Sequence, residues 1–441
     1  MSTVPRAFCS VKLTLAHFSK TISLLSGYLF KYCMSRLLNF SFKVWILAAG
    51  RLLSEIGTGF TLFYAPIFFV NQVGLSSTLV GIALGSGSVS GVLGRFWGGQ
   101  LADTPSWGRR KTLLTSAAIS VLADVALAFT TNFPTLVLGN LLMGFGIGMY
   151  WPATEAAIID LTEPEQRNEA FAVTRLADSL GLSLGVVLGG ALISNSGNYR
   201  SLFVIDGISF AVFFAVIYFA IAETYQFQVK PPTAEQENGW SLALRDRALM
   251  VYVAVNILFT TYLSQVQSTM PLYLKNFVQI GDTGMGFSEQ AISGLFTWHI
   301  AFAAVCQLPI AWLLNRFSRI AGLSFSLVLW GIAFLLVWVT GNTANNTLFW
   351  AVLTLGIMSL GMITYTPVAS GLVADLAPES LRGVYFSISS QCWAVGYFIG
   401  PPLGGWALDN PQFTNYLWLM FAASVLVGMV ILRYLNKLIT T

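Results

Sequence analysis

Twelve long apolar stretches follow one another along residues 44–434, and they restrict the chain to one class of fold. Each is long enough for a helix to cross the roughly 30 Å hydrocarbon core of a bilayer, which takes about 20 residues. Because an unpaired backbone amide or carbonyl is costly in lipid, such spans are helical. They cover 44–70, 78–102, 112–131, 134–155, 170–193, 201–222, 248–274, 289–314, 320–340, 346–373, 384–407 and 413–434. We therefore predict an all-α membrane protein with twelve transmembrane helices.

Composition agrees with this class and removes several others. Charged residues make up 10% of the 441 residues and the mean hydropathy is +0.70, whereas about 25% of a soluble domain is charged. A net charge of +4 is too small and too dispersed to indicate nucleic-acid binding. The four cysteines show no paired spacing, and two histidines do not make a metal cluster. The sequence has no phosphate-binding loop for ATP, so we expect no cofactor. We expect a transmembrane ion gradient, in the first place a proton gradient, to supply the energy.

The chain consists of two related halves. When the numbering is shifted by 215, residues 146–190 align without a gap on residues 361–405, sharing a Tyr-x-Pro motif, an Asp-Leu pair and a row of glycines. Earlier in each half, Pro66 and Asn71 recur as Pro271 and Asn276 at a shift of 205. This pattern indicates a parallel repeat of six helices, an architecture in which the substrate binds between the halves near the middle of the membrane.

The longest connection between spans divides the chain into its parts. Residues 223–247 separate the sixth and seventh spans and contain two adjacent prolines. We predict an N-terminal extension at 1–40, a six-helix bundle at 41–222, a linker at 223–247 and a second bundle at 248–441. The extension is basic, and the first carboxylate of the chain is Glu55. It reads as a transit peptide, or as the result of a start codon placed too early, with Met34 as the true first residue.

Lysine and arginine predict the orientation in the membrane. One side carries almost all of them, whereas the loops of the other side hold only Arg200 and Lys275. Both termini and the linker are therefore expected in the cytoplasm. We expect a multi-pass monomer in a bacterial-type inner membrane, or in an organelle membrane if the extension is a transit peptide. Its expected partners are the lipid bilayer and a small-molecule substrate.

The turn between the second and third spans, residues 99–111, carries a motif that reads G-Q-L-A-D-T-P-S-W-G-R-R-K. It resembles the loop between the second and third helices of the major facilitator superfamily, usually written G-x-L-A-D-R-x-G-R-R. The matching residues are Gly99, Leu101, Ala102, Asp103, Gly108, Arg109 and Arg110, with two additional residues before Gly108. The resemblance implies a secondary transporter, not an enzyme, in which Asp103, Arg109 and Arg110 latch a gate. A plain positive-inside anchor is the alternative.

Ionisable residues within the spans are candidates for ion coupling, because a buried charge is expensive and is retained for function. Arg51 and Glu55 lie one helical turn apart in the first span, with Glu55 about 16 Å from its start at about 1.5 Å per residue. We predict that Glu55 carries a proton; a neutral Arg51–Glu55 pair that only packs the bundle is the alternative. Asp124, deep in the third span, is a further candidate. Asp206 is expected to serve as a capping or packing partner, with Arg200 beside it.

Charged residues near the cytoplasmic ends of the spans predict an inner gate network. Its members are Arg95, Glu155, Asp160, Arg167, Asp375 and Arg382. A belt of separately solvated interfacial charges is the alternative.

Glycines four residues apart predict close helix packing in the fifth and eleventh spans. They are Gly181, Gly185 and Gly189, and Gly396, Gly400 and Gly404. The stripe resembles that of the drug:proton antiporter branch of the superfamily, in which proline follows the middle glycine. Here Val186 occupies that position in the fifth span, while the eleventh span has Pro401.

Polar and aromatic residues of the central spans predict the substrate cavity. They are Phe63, Tyr64, Tyr150, Asn256, Tyr262, Gln265, Gln267, Trp298, His299 and Tyr365. A cavity rich in aromatic groups and poor in charge suits amphipathic or lipophilic compounds, and we predict their proton-coupled export. Asn140 departs from this prediction, because proton-linked members of the superfamily usually have arginine there. An importer or uniporter of a small metabolite, and a non-transporting receptor or assembly factor, remain open.

Overall fold

Helices make up most of the residues that the computed structural model describes. It describes residues 41–440 except 164–165, 225–234, 282–283, 315, 344 and 379–380. The predicted N-terminal extension, residues 1–40, lies outside the described residues. Two-residue strands β1 (Gln279–Ile280) and β2 (Gly284–Met285) form a small antiparallel hairpin with Gln279 opposite Met285.

The helices follow the predicted order of spans. The first half contains α1 (Phe42–Leu62), α2 (Ala65–Asn71), α3 (Ser77–Ala102), α4 (Gly108–Ala128), α5 (Phe133–Asp160), α6 (Arg167–Ser196) and α7 (Arg200–Ala220). α8 (Glu235–Arg245) lies in the connection. The second half contains α9 (Arg247–Gln267), α10 (Thr269–Asn276), α11 (Glu289–Leu314), α12 (Arg319–Asn342), α13 (Thr347–Leu376), α14 (Arg382–Asp409) and α15 (Tyr416–Thr440).

These helices confirm the all-α membrane fold. Ten of the described spans are long and apolar enough to cross a membrane. The other two, α11 and α14, have 26 and 28 residues, which is also enough, and both contain proline. The first and seventh spans are each broken near a proline, where α2 and α10 begin, because proline fits the first turn of a helix but not its interior.

The two halves repeat in three dimensions. In the first half the Ser116 hydroxyl donates to the Gly146 carbonyl over 3.0 Å. In the second half the Ser326 hydroxyl donates to the Gly361 carbonyl over 2.7 Å. Each bond joins the third and fourth spans of its half, so the repeat found in the sequence extends to individual hydrogen bonds.

The halves contact each other along two seams, α3 against α14 and α6 against α11. At the first seam, a Cβ atom on Gly81 would lie 2.6 Å from the Pro401 carbonyl carbon and 2.9 Å from the Pro402 Cα. Only glycine allows the helices this close. Below, the membrane side that carries Arg109 and Arg110 is called the basic side, and the side where α2 and α10 end is called the far side.

Candidate substrate cavity and ion-coupling site

A central cavity of about 510 Å³ lies between the two halves. The residues that line it are Leu62, Leu84, Gly87, Ser88, Gly91, Val92, Arg95, Asn140, Met143, Gly144, Ile147, Gly148, Trp151, Ser264, Gln267, Ser268, Trp393, Ala394, Tyr397 and Pro401. Most are apolar or aromatic, and Arg95 carries the charge among them. The volume falls within the roughly 300–1,000 Å³ of pockets for drug-sized molecules.

The structure corrects the predicted lining of this cavity. Of the predicted residues, Gln267 lines the central cavity and Tyr150 lines a neighbouring one. Six others form hydrogen bonds within the second half: Tyr262 with Ser424 (2.6 Å), Tyr365 with Asn256, Gln265 with Thr269 (2.6 Å), His299 with Ser359 (2.7 Å) and Trp298 with the Val352 carbonyl (3.0 Å). Trp298 is partly exposed on the outside of the bundle. These groups satisfy one another instead of facing a substrate.

Two further predicted cavity residues lie at the contact between the halves. The Phe63 ring stacks on Phe296 of α11, with ring centroids 4.2 Å apart. The Tyr64 hydroxyl donates to the Val186 carbonyl over 3.0 Å, and Ser293 of α11 donates to the same carbonyl over 3.3 Å. Phe63 and Tyr64 therefore help to close the halves together rather than line the cavity.

A side cavity of about 230 Å³ adjoins the central cavity. The two share Leu62, Ile147, Trp151 and Gln267. The remaining lining of the side cavity is Ser54, Glu55, Thr58, Ser120, Tyr150, Leu182 and Phe210. Within the described part of the chain, the Glu55 carboxyl group has no hydrogen-bond partner. An ionisable acid thus lines a cavity that adjoins the central cavity.

Arg51 pairs with Asp178 of α6 instead of the predicted Glu55. Its Nε donates to Asp178 Oδ1 over 2.8 Å, and its Nη2 donates to Oδ2. The guanidinium carbon also lies 5.1 Å from the centre of a Trp151 ring. Arg51 is 2% exposed, and a two-bond carboxylate partner suits its planar group better than a residue one turn along its own helix. Glu55 is left without a bonded cation.

The glycine stripes lie where the sequence predicts close packing. A Cβ atom on Gly181 would lie 2.8 Å from Glu55 Cβ, and one on Gly185 would lie 2.8 Å from Gly59 Cα. Gly189 likewise faces the first span, at Tyr64. In the second half, Gly396, Gly400 and Gly404 face the seventh span at Thr260, Gln265 and Thr269. In the first half this close contact brings Asp178 within reach of Arg51.

Asp206 and Arg200 do not form the predicted pair. Asp206 is 1% exposed and accepts a hydrogen bond from the Thr61 hydroxyl over 3.2 Å. The Arg200 guanidinium instead donates to two carbonyls at the end of α4, including that of Thr130 over 3.1 Å. Asp124 is also 1% exposed, and both of its carboxyl oxygens lack a partner among the described residues.

The turn at residues 99–111 brings Asp103 and Arg109 together. Arg109 donates to the Asp103 carboxylate and, through Nε, to Asp160 of α5 over 3.2 Å. Arg110 turns away from Asp103: its Nη2 donates to the Tyr218 carbonyl over 2.6 Å, and its guanidinium lies 5.2 Å from the Tyr218 ring centre. Of the two arginines predicted to pair with Asp103, Arg109 does so among the described residues and Arg110 does not.

Glu223, which belongs to none of the sites predicted from the sequence, holds the beginning of α4. Its carboxylate accepts hydrogen bonds from the backbone N–H of Arg109 over 2.8 Å and of the following residue over 3.2 Å. Gly108 has φ +79°, and a Cβ atom there would lie 2.4 Å from the Glu223 carboxyl carbon. Gly108 therefore matches a structural need, whereas at Gly99 the nearest atom would be an ordinary 3.9 Å away.

The predicted inner gate residues fall into separate groups in this conformation. Asp160 binds Arg109 within the first half, and Asp375 accepts from Arg319 over 3.0 Å within the second. Arg95 lines the central cavity and interacts electrostatically with Glu155. Arg167 has a buried Nε without a partner in the described chain, and Arg382 is exposed. The described ion pairs on the basic side thus each stay within one half.

Hydrogen bonds between the halves lie on the far side. Asn71 and Asn276, the pair repeated at a shift of 205, donate to each other's side-chain carbonyls over 2.9 and 2.8 Å. Asp409 of α14 accepts from the backbone N–H groups of Ser77 and Thr78 at the start of α3, over 2.8 and 2.7 Å. With the far side joined and the basic-side pairs kept within each half, the central cavity faces the basic side.

Comparison with known proteins agrees with this architecture. The sequence profile of the Major Facilitator Superfamily matches residues 47–285 and 280–438. A multidrug resistance protein MdtH from Aeromonas hydrophila is 25% identical over 395 residues, which cover 89% of this chain and 94% of that protein. A Na(+), Li(+), K(+)/H(+) antiporter from Planococcus maritimus is 25% identical over 373 residues, covering 78% and 85%.

A crystal structure of the nucleoside transporter NupG superposes with a TM-score of 0.73 at 14% identity, covering 89% of this chain and 99% of that one. At this identity the similarity concerns the fold. Together with the profile match over both halves, it shows that the chain is a secondary membrane transporter, not an enzyme, and that it belongs to the Major Facilitator Superfamily.

Proposed function

We propose that this transporter exports amphipathic or lipophilic compounds in exchange for protons, with Glu55 as the proton carrier. The observation that carries the proposal is the shared wall of the two cavities. The Glu55 side cavity and the apolar central cavity have Leu62, Ile147, Trp151 and Gln267 in common. A change in the charge of Glu55 therefore acts directly beside bound substrate. The names of the MdtH and cation/proton antiporter relatives support the same reading.

The contacts between the halves fit a conformation that opens to the cytoplasm, from which an exporter takes up its substrate. The positive-inside rule places the basic side in the cytoplasm, and the central cavity faces that side while Asn71, Asn276 and Asp409 join the halves on the far side. A compound dissolved in the cytoplasm or the inner leaflet would enter among Met143, Trp393 and other apolar groups. Rocking of the halves then opens the far side for release.

Import of an anionic metabolite is the second candidate. It is favoured by Arg95, whose charge faces the central cavity. A guanidinium group binds a carboxylate or phosphate well, whereas it repels a lipophilic cation.

Accumulation of lipophilic cations, dyes and antibiotics in efflux-deficient cells tests the proposal. Cells with the wild type are expected to accumulate less of at least one compound than cells without it, and an uncoupler should remove the difference. Trp393→Ala, which changes the wall of the central cavity, should weaken export. Trp312→Ala, on the membrane-facing surface with 69% of the residue exposed, serves as the matched control.

Unchanged accumulation of every compound would contradict export and favour the anion importer. In that case, uptake of radiolabelled organic anions should require Arg95 and fail in Arg95→Gln. Export that continues in the presence of the uncoupler would support the proposed direction of transport and contradict coupling to protons.

Arg109→Ala is expected to slow transport more than Asp103→Asn. Arg109 joins Asp103, Asp160 and the end of α3, whereas Asp103 is 72% exposed, and an exposed ion pair contributes about 0–1 kcal/mol. The measurement is the initial rate of uncoupler-sensitive efflux per molecule in the membrane. Lys111→Ala, which removes a neighbouring charge outside the pair, is the control. Equal slowing by Asp103→Asn would show that this carboxylate acts in its own right.

A further inference from the structure

Two buried carboxyl groups lie on neighbouring helices behind the side cavity. Asp124 of α4 and Asp206 of α7 are each 1% exposed. A Cβ atom on Gly207, the neighbour of Asp206, would lie 3.2 Å from Asp124 Cβ and 3.9 Å from its Oδ2. The Asp124 carboxyl is thus turned towards α7 beside Asp206, and the two acids interact electrostatically.

No cation in the described part of the chain compensates this pair. Asp206 accepts from the hydroxyls of Thr61 over 3.2 Å and Ser209 over 3.5 Å, while neither oxygen of Asp124 has a partner. Arg51 is bound to Asp178, and Arg200 is bound to backbone carbonyls. Two ionised carboxylates in this position would carry a large desolvation cost, so the pair must bind positive charge.

The space around the pair fits a proton. Gly57 of α1 leaves a notch that the Asp206 carboxyl and Ser209 fill, because a Cβ atom there would collide with both. Neither acid lines the central or the side cavity. A hydrated or partly hydrated metal cation needs room for several ligands, whereas a proton occupies no volume of its own.

The two helices that carry the pair also contribute to the wall of the side cavity. Ser120 lies one turn before Asp124 on α4, lines the side cavity and has a buried hydroxyl without a partner in the described chain. Phe210 lies one turn after Asp206 on α7 and lines the same cavity. The unpartnered hydroxyl is a group through which a proton can pass between the cavity and Asp124.

We propose that Asp124 and Asp206 form a second proton-binding site, which exchanges protons with the side cavity and is linked to Glu55. The link to transport rests on the proposed function; the binding of protons by the pair does not. Besides Asp124, Glu55 on α1 acts electrostatically on Asp206. Arg51 and Asp178, which neutralise each other, are the charged groups that act on Glu55. The uncharged hydroxyl of Tyr150 on α5 lies near the same three groups.

Infrared difference spectroscopy of the purified protein in liposomes tests this site without any substrate. The C=O stretch of protonated carboxyl groups is followed as the pH is raised, in sodium chloride and in choline chloride. Wild type, Asp124→Asn, Asp206→Asn, Glu55→Gln and Thr61→Val are compared, with the exposed Glu163→Gln as control. Circular dichroism shows which variants are folded.

The wild type is expected to lose a carboxyl band on titration, and each aspartate variant should lack part of that band. Glu55→Gln should shift the remaining midpoint to lower pH, because a negative charge beside Asp206 no longer favours its protonation. Thr61→Val should shift the midpoint to higher pH, because the charged form loses a hydrogen bond. Because valine has nearly the shape of threonine, the Thr61→Val variant tests the site even if an aspartate variant fails to fold.

A carboxyl band of the pair that does not titrate would overturn the proposal and make the pair a permanently neutral packing element. A midpoint that depends on sodium would replace the proton with a metal cation. Failure of export in the accumulation assay, together with the expected titration, would reject the proposed function and leave the proton site standing.

Discussion

Replacing Glu55 by glutamine is expected to abolish uphill export while substrate exchange across the membrane continues. Glutamine has the size of the protonated acid but cannot release a proton, so the step that couples proton movement to the opening of the cavity is lost. The central cavity keeps its shape, because Glu55 lines only the neighbouring side cavity. Net export should fall to the level of vesicles without the transporter.

Vesicles containing the purified protein and an imposed pH gradient measure this effect. Wild type should move a compound found in the accumulation assay against its gradient, at a rate that rises with the pH difference; Glu55→Gln should not. Counterflow of labelled against unlabelled compound should persist in the variant. Glu163→Gln, an exposed acid outside both cavities, is the control. Uphill export by Glu55→Gln would transfer the coupling role to another group, with Asp124 and Asp206 the first to examine.

The fold was accessible from sequence because it depends on patterns that run over many residues. Apolar length indicates each span, and the register of the repeat pairs Gly146 with Gly361 from the sequence alone. The structure then placed both carbonyls in equivalent hydrogen bonds. Close packing at Gly181 and Gly185 followed from their spacing for the same reason, since glycines four apart form one flat surface.

The site was harder to predict because it depends on which face of a helix points inward. Apolar spans have little amphipathic contrast, so the sequence could not distinguish Tyr262, in an aromatic cluster with Phe334, from Trp393, on the cavity wall. The predicted ion pair of Arg51 was wrong for a similar reason. One-turn spacing favoured Glu55 as the partner, but Arg51 binds Asp178, which lies 127 residues away along the chain. For Asn71 and Asn276 the sequence showed only that they occupy equivalent positions in the repeat. The structure shows that their side chains bond to each other across the two halves.

Arg51→Leu is expected to destabilise the protein by about 3 kcal/mol, the lower end of the cost of breaking a buried ion pair. The substitution leaves the Asp178 carboxylate, 17% exposed, without its two-bond partner at the contact of α1 and α6. It also removes the cation over the Trp151 ring. The measurement is the thermal unfolding midpoint of the purified protein in detergent. Arg175→Leu, an exposed arginine on α6, should have little effect.

A second substitution identifies the true partner of Arg51. Since replacing both members of a buried pair by apolar groups is often nearly neutral, Arg51→Leu with Asp178→Leu should recover most of the lost stability. Arg51→Leu with Glu55→Leu should not, because it leaves Asp178 uncompensated. The opposite order of recovery would restore the pair that one-turn spacing suggested. It would also remove the reason why Glu55 is free to exchange a proton, since a carboxylate bound to Arg51 is held in its charged form.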